Sequence, residues 1–213
     1  MKKSILTLTI VGLTLISCKN EKKEKLTVSK EVKVEKVAKP ITNNIDTNTS
    51  VLTWKGTKPG GGAHSGTVAL KESFLVIDNG AVTSGEFIID MSAIKNTDLD
   101  AEHGAKLVAH LSNGDFFDVE KYPTSKFVIT SSDNKDGKLA ITGNLTIKDV
   151  TKSITIPTTI SEKDGVVTFK SDLFNINRAD FNVKYGSKSF FDNLKDKYID
   201  DLIEFSFDIK VKK

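Results

Sequence analysis

Cysteine occurs once in this chain of 213 residues, histidine three times, tryptophan once and proline four times. A single cysteine excludes an intramolecular disulfide and any zinc site built from several thiolates. His103 and His110 are seven residues apart and would share a helix face, but no third ligand falls at a matching spacing. The glycines of Pro59-Gly60-Gly61-Gly62 are not followed by Lys-Ser or Lys-Thr, so they form a flexible loop and not a phosphate cradle. Asp192, Asp196, Asp200 and Asp201 lack the glycine and ligand spacing of an EF-hand and read as a solvated loop. No Ser/His/Asp arrangement stands out and no internal repeat is present. The expectation is a protein that is not an enzyme and needs no metal or cofactor.

Aromatic residues are absent before Trp54. The first 17 residues instead read MKKSILTLTIVGLTLIS, with Lys2 and Lys3 ahead of an apolar stretch from Ile5 to Ile16. That stretch is too short to cross about 30 Å of hydrocarbon as a permanent helix. It has the form of a secretory signal peptide. Leu15-Ile16-Ser17-Cys18 resembles the lipobox of bacterial lipoproteins, in which cleavage precedes a cysteine that carries lipid. The plainer alternative is a short anchor helix with an incidental cysteine. More than one fatty chain is needed for stable anchoring, and a lipidated Cys18 would supply it.

The net charge is +3, which on its face hints at an acidic partner. Lys2 and Lys3 leave with the signal peptide, and residues 19–40 hold eight lysines and four glutamates, a balance of +4. From Ile41 onward the chain is mildly acidic, at −3, so nucleic acid is not an expected partner. Residues 18–44 read as a lipidated cysteine and a flexible, solvated tether, because their composition buries too little apolar surface to offset chain entropy. A weak helix over Glu21–Lys36 would be marginal in isolation.

Residues 45–213 read as one all-β domain. Ile203, Phe205, Phe207, Ile209 and Val211 alternate with polar residues, as do Phe127 and Ile129, and Ile141, Leu145 and Ile147 fall on one face. Such alternation marks half-buried antiparallel strands. Asp78-Asn79-Gly80, Asp133 to Gly137, and Asp164-Gly165 are turn signals between them. Strands are expected near 51–57, 64–71, 73–78, 80–90, 126–132, 138–147, 152–161, 165–176 and 201–212. That many short strands suit a barrel or a sandwich. One helix is expected over Asp100–Ser112, capped by Asp98 or Asp100 and stopped at Asn113-Gly114. An eight-stranded barrel either fills its interior with side chains or holds one small ligand, and patterning leaves both open.

Several strings converge in order and spacing: His64-Ser65-Gly66-Thr67-Val68; Gly85-Glu86-Phe87-Ile88-Ile89-Asp90-Met91-Ser92-Ala93-Ile94; His110-Leu111 leading into Asp115-Phe116-Phe117-Asp118-Val119-Glu120-Lys121-Tyr122-Pro123; Gly143-Asn144-Leu145-Thr146-Ile147-Lys148-Asp149-Val150-Thr151-Lys152; and Phe174-Asn175-Ile176-Asn177-Arg178-Ala179-Asp180-Phe181. Together they resemble the YceI-like family over nearly all of residues 45–213. The resemblance implies an antiparallel, eight-stranded, lipocalin-like β-barrel with one helix beside it, secreted or periplasmic, and in some members a long isoprenoid chain inside the barrel. Many relatives carry an Arg-Asp pair just before the His-Leu string, where this chain has Val108-Ala109.

Taking the more apolar face of each strand, the expected ligand-facing residues are Leu52, Trp54, Val68 and Phe74 in the first strands and Phe87, Ile89, Phe127 and Ile129 in the middle. Ile141, Phe169, Phe174, Phe205 and Phe207 complete the set. Phe116 and Phe117 either line an entrance or anchor the helix. Arg178, the sole arginine, either meets a ligand headgroup with its planar fork or makes a structural ion pair with Asp180 or Asp172. The expected whole is a protein anchored to the bacterial cell envelope through Cys18 and facing the periplasm. It would hold a long-chain isoprenoid or similar amphipathic lipid for carriage, storage or stress protection, with a homodimer as the one protein partner considered. The alternative is a structural or stress-adaptation module with a filled barrel and no dedicated ligand.

Overall fold

In a computed structural model, which describes residues 24–33, 44–78, 81–135 and 138–212, eleven strands and one α-helix follow one another along the chain. The signal-peptide segment, Cys18 and the turn glycine at Gly80 lie outside the described residues. The strands are β1 (Val28–Lys30), β2 (Val51–Thr57), β3 (Ala63–Leu70), β4 (Phe74–Asp78), β5 (Ala81–Asn96), β6 (Thr124–Lys135), β7 (Lys138–Ile147), β8 (Val150–Lys163), β9 (Val166–Ser171), β10 (Phe174–Asn177) and β11 (Leu202–Val211). The helix, α1, spans Ala101–Ser112.

Period-2 patterning closes into a ring. β8 pairs with β7, β7 with β6, β6 with β5, β5 with β3, β3 with β2, β2 with β11, β11 with β9, and β9 returns to β8, every pair antiparallel. The result is a closed eight-stranded antiparallel barrel, which leaves few bare edges. Asp164 and Gly165 take φ of 52° and 77°, the positive values that the two-residue β8–β9 hairpin requires.

Two strands are broken, and each break matters. β4 continues along β5 where β3 leaves off, but residues 71–73 reverse the alternation. Leu70 points inward on β3, whereas on β4 the buried residue is Leu75, at 1% exposure, and not Phe74. The single strand expected over 165–176 is likewise split at Asp172-Leu173 into β9 and β10. β10 stays on β11 but no longer touches β8.

Residues 24–33, expected as solvated tether or weak helix, instead lie along the barrel wall, and β1 pairs antiparallel with β8. Leu26 and Val28 supply the reason: two apolar residues at i, i+2 are enough to seat one face of a short strand on the core.

The helix forms where its caps dictate. Asp100 accepts from the N–H groups of Glu102 and His103, both at 3.1 Å. Asp98 serves the sheet instead, accepting from Ser65 N–H at 2.8 Å and meeting His64 at 3.0 Å. Gly104 is the one fully buried residue of α1, and a Cβ there would come within 3.2 Å of Asn96 Oδ1, so glycine lets the helix settle against the end of β5.

Candidate functional site: an apolar cavity in the barrel

The barrel is not filled by its own side chains. A cavity of about 180 Å³ runs inside it, room for on the order of a dozen water-sized groups at about 10–15 Å³ each. Its surface is apolar throughout. At the end beneath α1 it is bordered by Met91, Ile94, Leu111, Phe116, Phe117 and Ile147, with Ile199 and Ile203 opposite.

Toward the other end stands a band of phenylalanines. Phe127 stacks on Phe87 at 6.4 Å between ring centroids, Phe87 on Phe169 at 6.1 Å, and Phe169 meets Phe207 at 5.0 Å. Phe207 meets Phe174 edge-on at 6.4 Å, and Phe174 stacks on Phe205 at 6.0 Å. Six rings from β5, β6, β9, β10 and β11 thus form one continuous arc along the cavity. Offset and edge-on contacts of this kind add to the area they bury.

Alternation placed most of the expected residues on this wall: Leu52, Trp54, Val68, Phe87, Ile89, Phe127, Ile141, Phe169, Phe174, Phe205 and Phe207 all border the cavity. Phe74 does not, because the break after β3 turns it to the other face, opposite Glu86. Ile129 does not either; it is buried at 3% exposure beyond the cavity, where a Cβ on Gly85 would approach its Cδ1 at 2.9 Å. Leu70, Met91, Leu145, Ile154, Ile156 and Ile176 also border it and were missed, although Leu70, Met91, Leu145 and Ile176 share parity with Val68, Ile89, Ile141 and Phe174 on their own strands. Both Phe116 and Phe117 border the cavity, and Phe116 also packs on His110 and Tyr185, closing the helix end with an aromatic cluster. His110 is tied to Asp115 at 3.1 Å.

Arg178 borders the same end but has no donor fork to spare. Its Nε donates to the Asp200 carbonyl at 3.1 Å, Nη1 to Val183 and Tyr185 carbonyls at 3.0 and 2.8 Å, and Nη2 to the Ile199 carbonyl at 3.0 Å. Nη2 also faces Asp201 at 3.3 Å. The side chain is 2% exposed, and that burial pushes its pKa down while Asp201 and Asp200 push it up. The ion-pair partner is therefore Asp201 and neither Asp180 nor Asp172, and the guanidinium pins the loop 182–200 in place of gripping a headgroup. Asp180 pairs with Lys25 at 2.7 Å. Asp200 accepts from the Thr57 hydroxyl and Asp201 from the Ser189 hydroxyl, so two residues of the acidic cluster are structural. Among the described residues no three His, Cys, Asp or Glu side chains are grouped to hold a metal, and no helix is long and apolar enough to cross a membrane.

Trp54 borders the cavity with its apolar ring surface, and its one polar atom is buried. Trp54 Nε1 is buried with no hydrogen-bond partner, and its indole lies so close over Gly66 that a Cβ there would come within 2.6 Å of the ring. A buried indole N–H usually finds an acceptor.

Residues 44–211 match the model of the YceI-like domain family. Among curated proteins, a UPF0312 protein of Vibrio campbellii is 40% identical over a stretch covering 34% of this chain and 43% of its own length. A UPF0312 protein of Pseudomonas putida is 41% identical over 32% of this chain and 35% of its own. The chain thus spans roughly two-fifths of the length of these relatives. Among solved structures, Burkholderia cenocepacia BcnA superposes with a TM-score of 0.65 at 21% identity, over 79% of this chain and 100% of that one. A polyisoprenoid binding domain from Saccharophagus degradans superposes with a TM-score of 0.57 at 13% identity, over 79% of this chain and 97% of that one.

Proposed function

The chain belongs to the YceI-like family, and on that premise we propose that it holds a long apolar chain, of the isoprenoid or similar amphipathic lipid class, inside its barrel. The observation that carries this is the continuous apolar cavity with its arc of six phenylalanines. Each buried CH₂ contributes about 0.8 kcal/mol, so a dozen contribute on the order of 10 kcal/mol gross. Ordering and association costs subtract several kcal/mol from that. The polyisoprenoid binding domain of Saccharophagus degradans, which shares the fold, supports the ligand class.

An apolar wall suits binding and carriage, and among the described residues no acid, base and nucleophile converge on the cavity. The lipobox-like Leu15-Ile16-Ser17-Cys18 supports attachment to the bacterial cell envelope through a lipid on Cys18, with the barrel in the periplasm for carriage, storage or stress protection. Organic extraction of the purified protein followed by mass spectrometry tests the ligand: a long-chain lipid is expected at close to one per barrel, and repeatedly empty extracts with no uptake of added prenyl alcohols refute it. Mass spectrometry of the membrane fraction tests the anchor. A lipid-modified peptide beginning at Cys18 is expected, and an intact Met1 terminus overturns it.

A further inference from the structure

The barrel wall has one seam that its eight strands do not close by themselves. β8 pairs with β9 only over Thr158–Lys163. At Asp172 the chain leaves β8, and β10 runs on along β11, Phe174 opposite Phe205. The first half of β8 and β10 therefore stand apart, and residues 24–30 fill the space between them.

On one side Val28 lies opposite Ile154, and Lys30 opposite Lys152. On the other, Lys25 bridges Asn175 of β10 in parallel, and the Leu26 N–H donates to the Asn175 carbonyl at 3.1 Å. Asn175 Nδ2 donates to the Glu24 carbonyl at 3.0 Å. Val28 shares a face with Ile154, and Ile154, Phe174 and Ile176 all border the cavity. Residues 24–30 thus separate the cavity from the outside.

This stave is pinned at its two ends, by the Lys25–Asp180 ion pair at 2.7 Å and by the Asn144 carboxamide, which accepts from the Val32 N–H at 3.0 Å and donates to its carbonyl at 2.7 Å, but its regular pairing is short. β1 is three residues long, whereas β7 and β8 stay in register from Leu139 to Ile147. Lys30 and Lys152 are like charges directly across a strand pair, an arrangement that opposes pairing. Asn175 Oδ1 is buried with no partner, so the seam gives up less than a fully satisfied ladder when it opens. Segments with few buried contacts open locally without global unfolding.

We propose that residues 24–30 are a removable stave, and that the seam between β8 and β10 is the side port through which an apolar chain passes between a membrane and the cavity. The proposal rests on the lipid-binding and Cys18-anchor readings. Five residues lie between Cys18 and Glu24, and the six residue steps give a fully extended reach of about 20 Å. The anchor therefore keeps this port, more than any other part of the barrel, close to the bilayer surface.

Two arms test it, both in the full chain carrying Cys18→Ser as background. Ser29 and Ser153 face each other across β1 and β8 on the face away from Val28 and Ile154, a spacing that a disulfide can bridge. In the Ser29→Cys/Ser153→Cys variant loaded with cis-parinaric acid, transfer to phosphatidylglycerol–phosphatidylcholine vesicles is expected to be at least tenfold slower oxidised than reduced. Equal rates overturn the port. In the second arm an Ile154→Cys thiol reports opening through its reaction with a bulky maleimide, with Ile176→Cys as substitute should that variant fail to fold. Adding Leu26→Ser/Val28→Ser is expected to speed labelling at least tenfold with the far-UV circular dichroism unchanged, and an unchanged labelling rate overturns the stave. If no probe binds at all, the lipid-binding reading falls, while the labelling arm still decides whether the stave opens.

Discussion

Phe169→Ala is the sharpest perturbation of the aromatic arc. Phe169 is 1% exposed and sits between Phe87 and Phe207, linking β9 to β5 and β11. Removing a buried phenylalanine ring costs about 3–5 kcal/mol. In a domain of this size 1 kcal/mol moves the melting temperature by roughly 2–4 °C, so a drop of about 6–20 °C is expected in the ligand-free protein. Where the wall cannot relax, each ~40 Å³ of new void accounts for about 1 kcal/mol of that, at ~24 cal/mol per Å³. The new void adjoins the existing cavity, so the cost should be partly recovered by a longer ligand. Differential scanning fluorimetry with a series of prenyl alcohols of increasing length reads both effects. The variant should melt lower when empty, and its largest ligand-induced rise should shift to a longer chain than in the parent. A loss below about 1 kcal/mol, or an unchanged length preference, would refute the reasoning that this ring is at once core and cavity wall.

Gly66→Ala is expected to destabilise by about 2–3 kcal/mol, because overpacking dominates any gain in strand propensity. The added Cβ would meet the Lys95 carbonyl as well as the Trp54 ring, and urea unfolding followed by the fluorescence of Trp54, the sole tryptophan, measures it. Arg178→Met strips four carbonyls and Asp201 of their partner, so loop 182–200 should become the first site of limited proteolysis, with a stability loss of about 3–5 kcal/mol. For Asp98, burial pushes the carboxyl up, but the Ser65 N–H, His64 and Asn96 outweigh it and hold the pKa below the usual range. A depressed folded-state pKa gives stability that is present above the unfolded value and is lost as pH falls through the folded one. Asp98→Asn should therefore flatten the acid limb of a stability-versus-pH curve below about pH 4 and leave its neutral region parallel to the parent's.

The barrel was legible because alternation and turn chemistry agree over most of its length. Ile203 to Val211 alternate without interruption, Asp164-Gly165 marks a hairpin, and Asp100 caps the helix, each through a local physical rule. Parity also carried most of the cavity wall. It failed where the chain breaks step. Nothing in Lys71-Glu72-Ser73 announces that the inward residue changes from an even to an odd position, so Phe74 was placed on the wrong face. Arg178 was ambiguous because its partners are mostly backbone carbonyls, which leave no trace in residue identity. Residues 24–33 were hidden by their lysines and glutamates. A stave two apolar residues deep does not disturb a composition average, although Leu26 and Val28 carry its contact with the core.

The pairing of β2 with β11 has a consequence for how the molecule is made. Trp54 lies opposite Phe205, about 150 residues later in the chain. Strands β5 to β8 form successive neighbours and can zip up as they are synthesised, but β2 must wait for the last strand. The entropic cost of so long a loop grows slowly, by about 0.6 kcal/mol per doubling, so the delay is chiefly one of time. Until Leu202–Val211 arrives, β2 presents a bare edge of N–H and C=O groups beside Leu52 and Trp54, a template for another copy's strand. Nascent chains stalled or clipped short of residue 202 are thus the aggregation-prone species, and the hazard in producing this protein sits in β11, which also brings Phe205, Phe207, Ile209 and Val211 to the core.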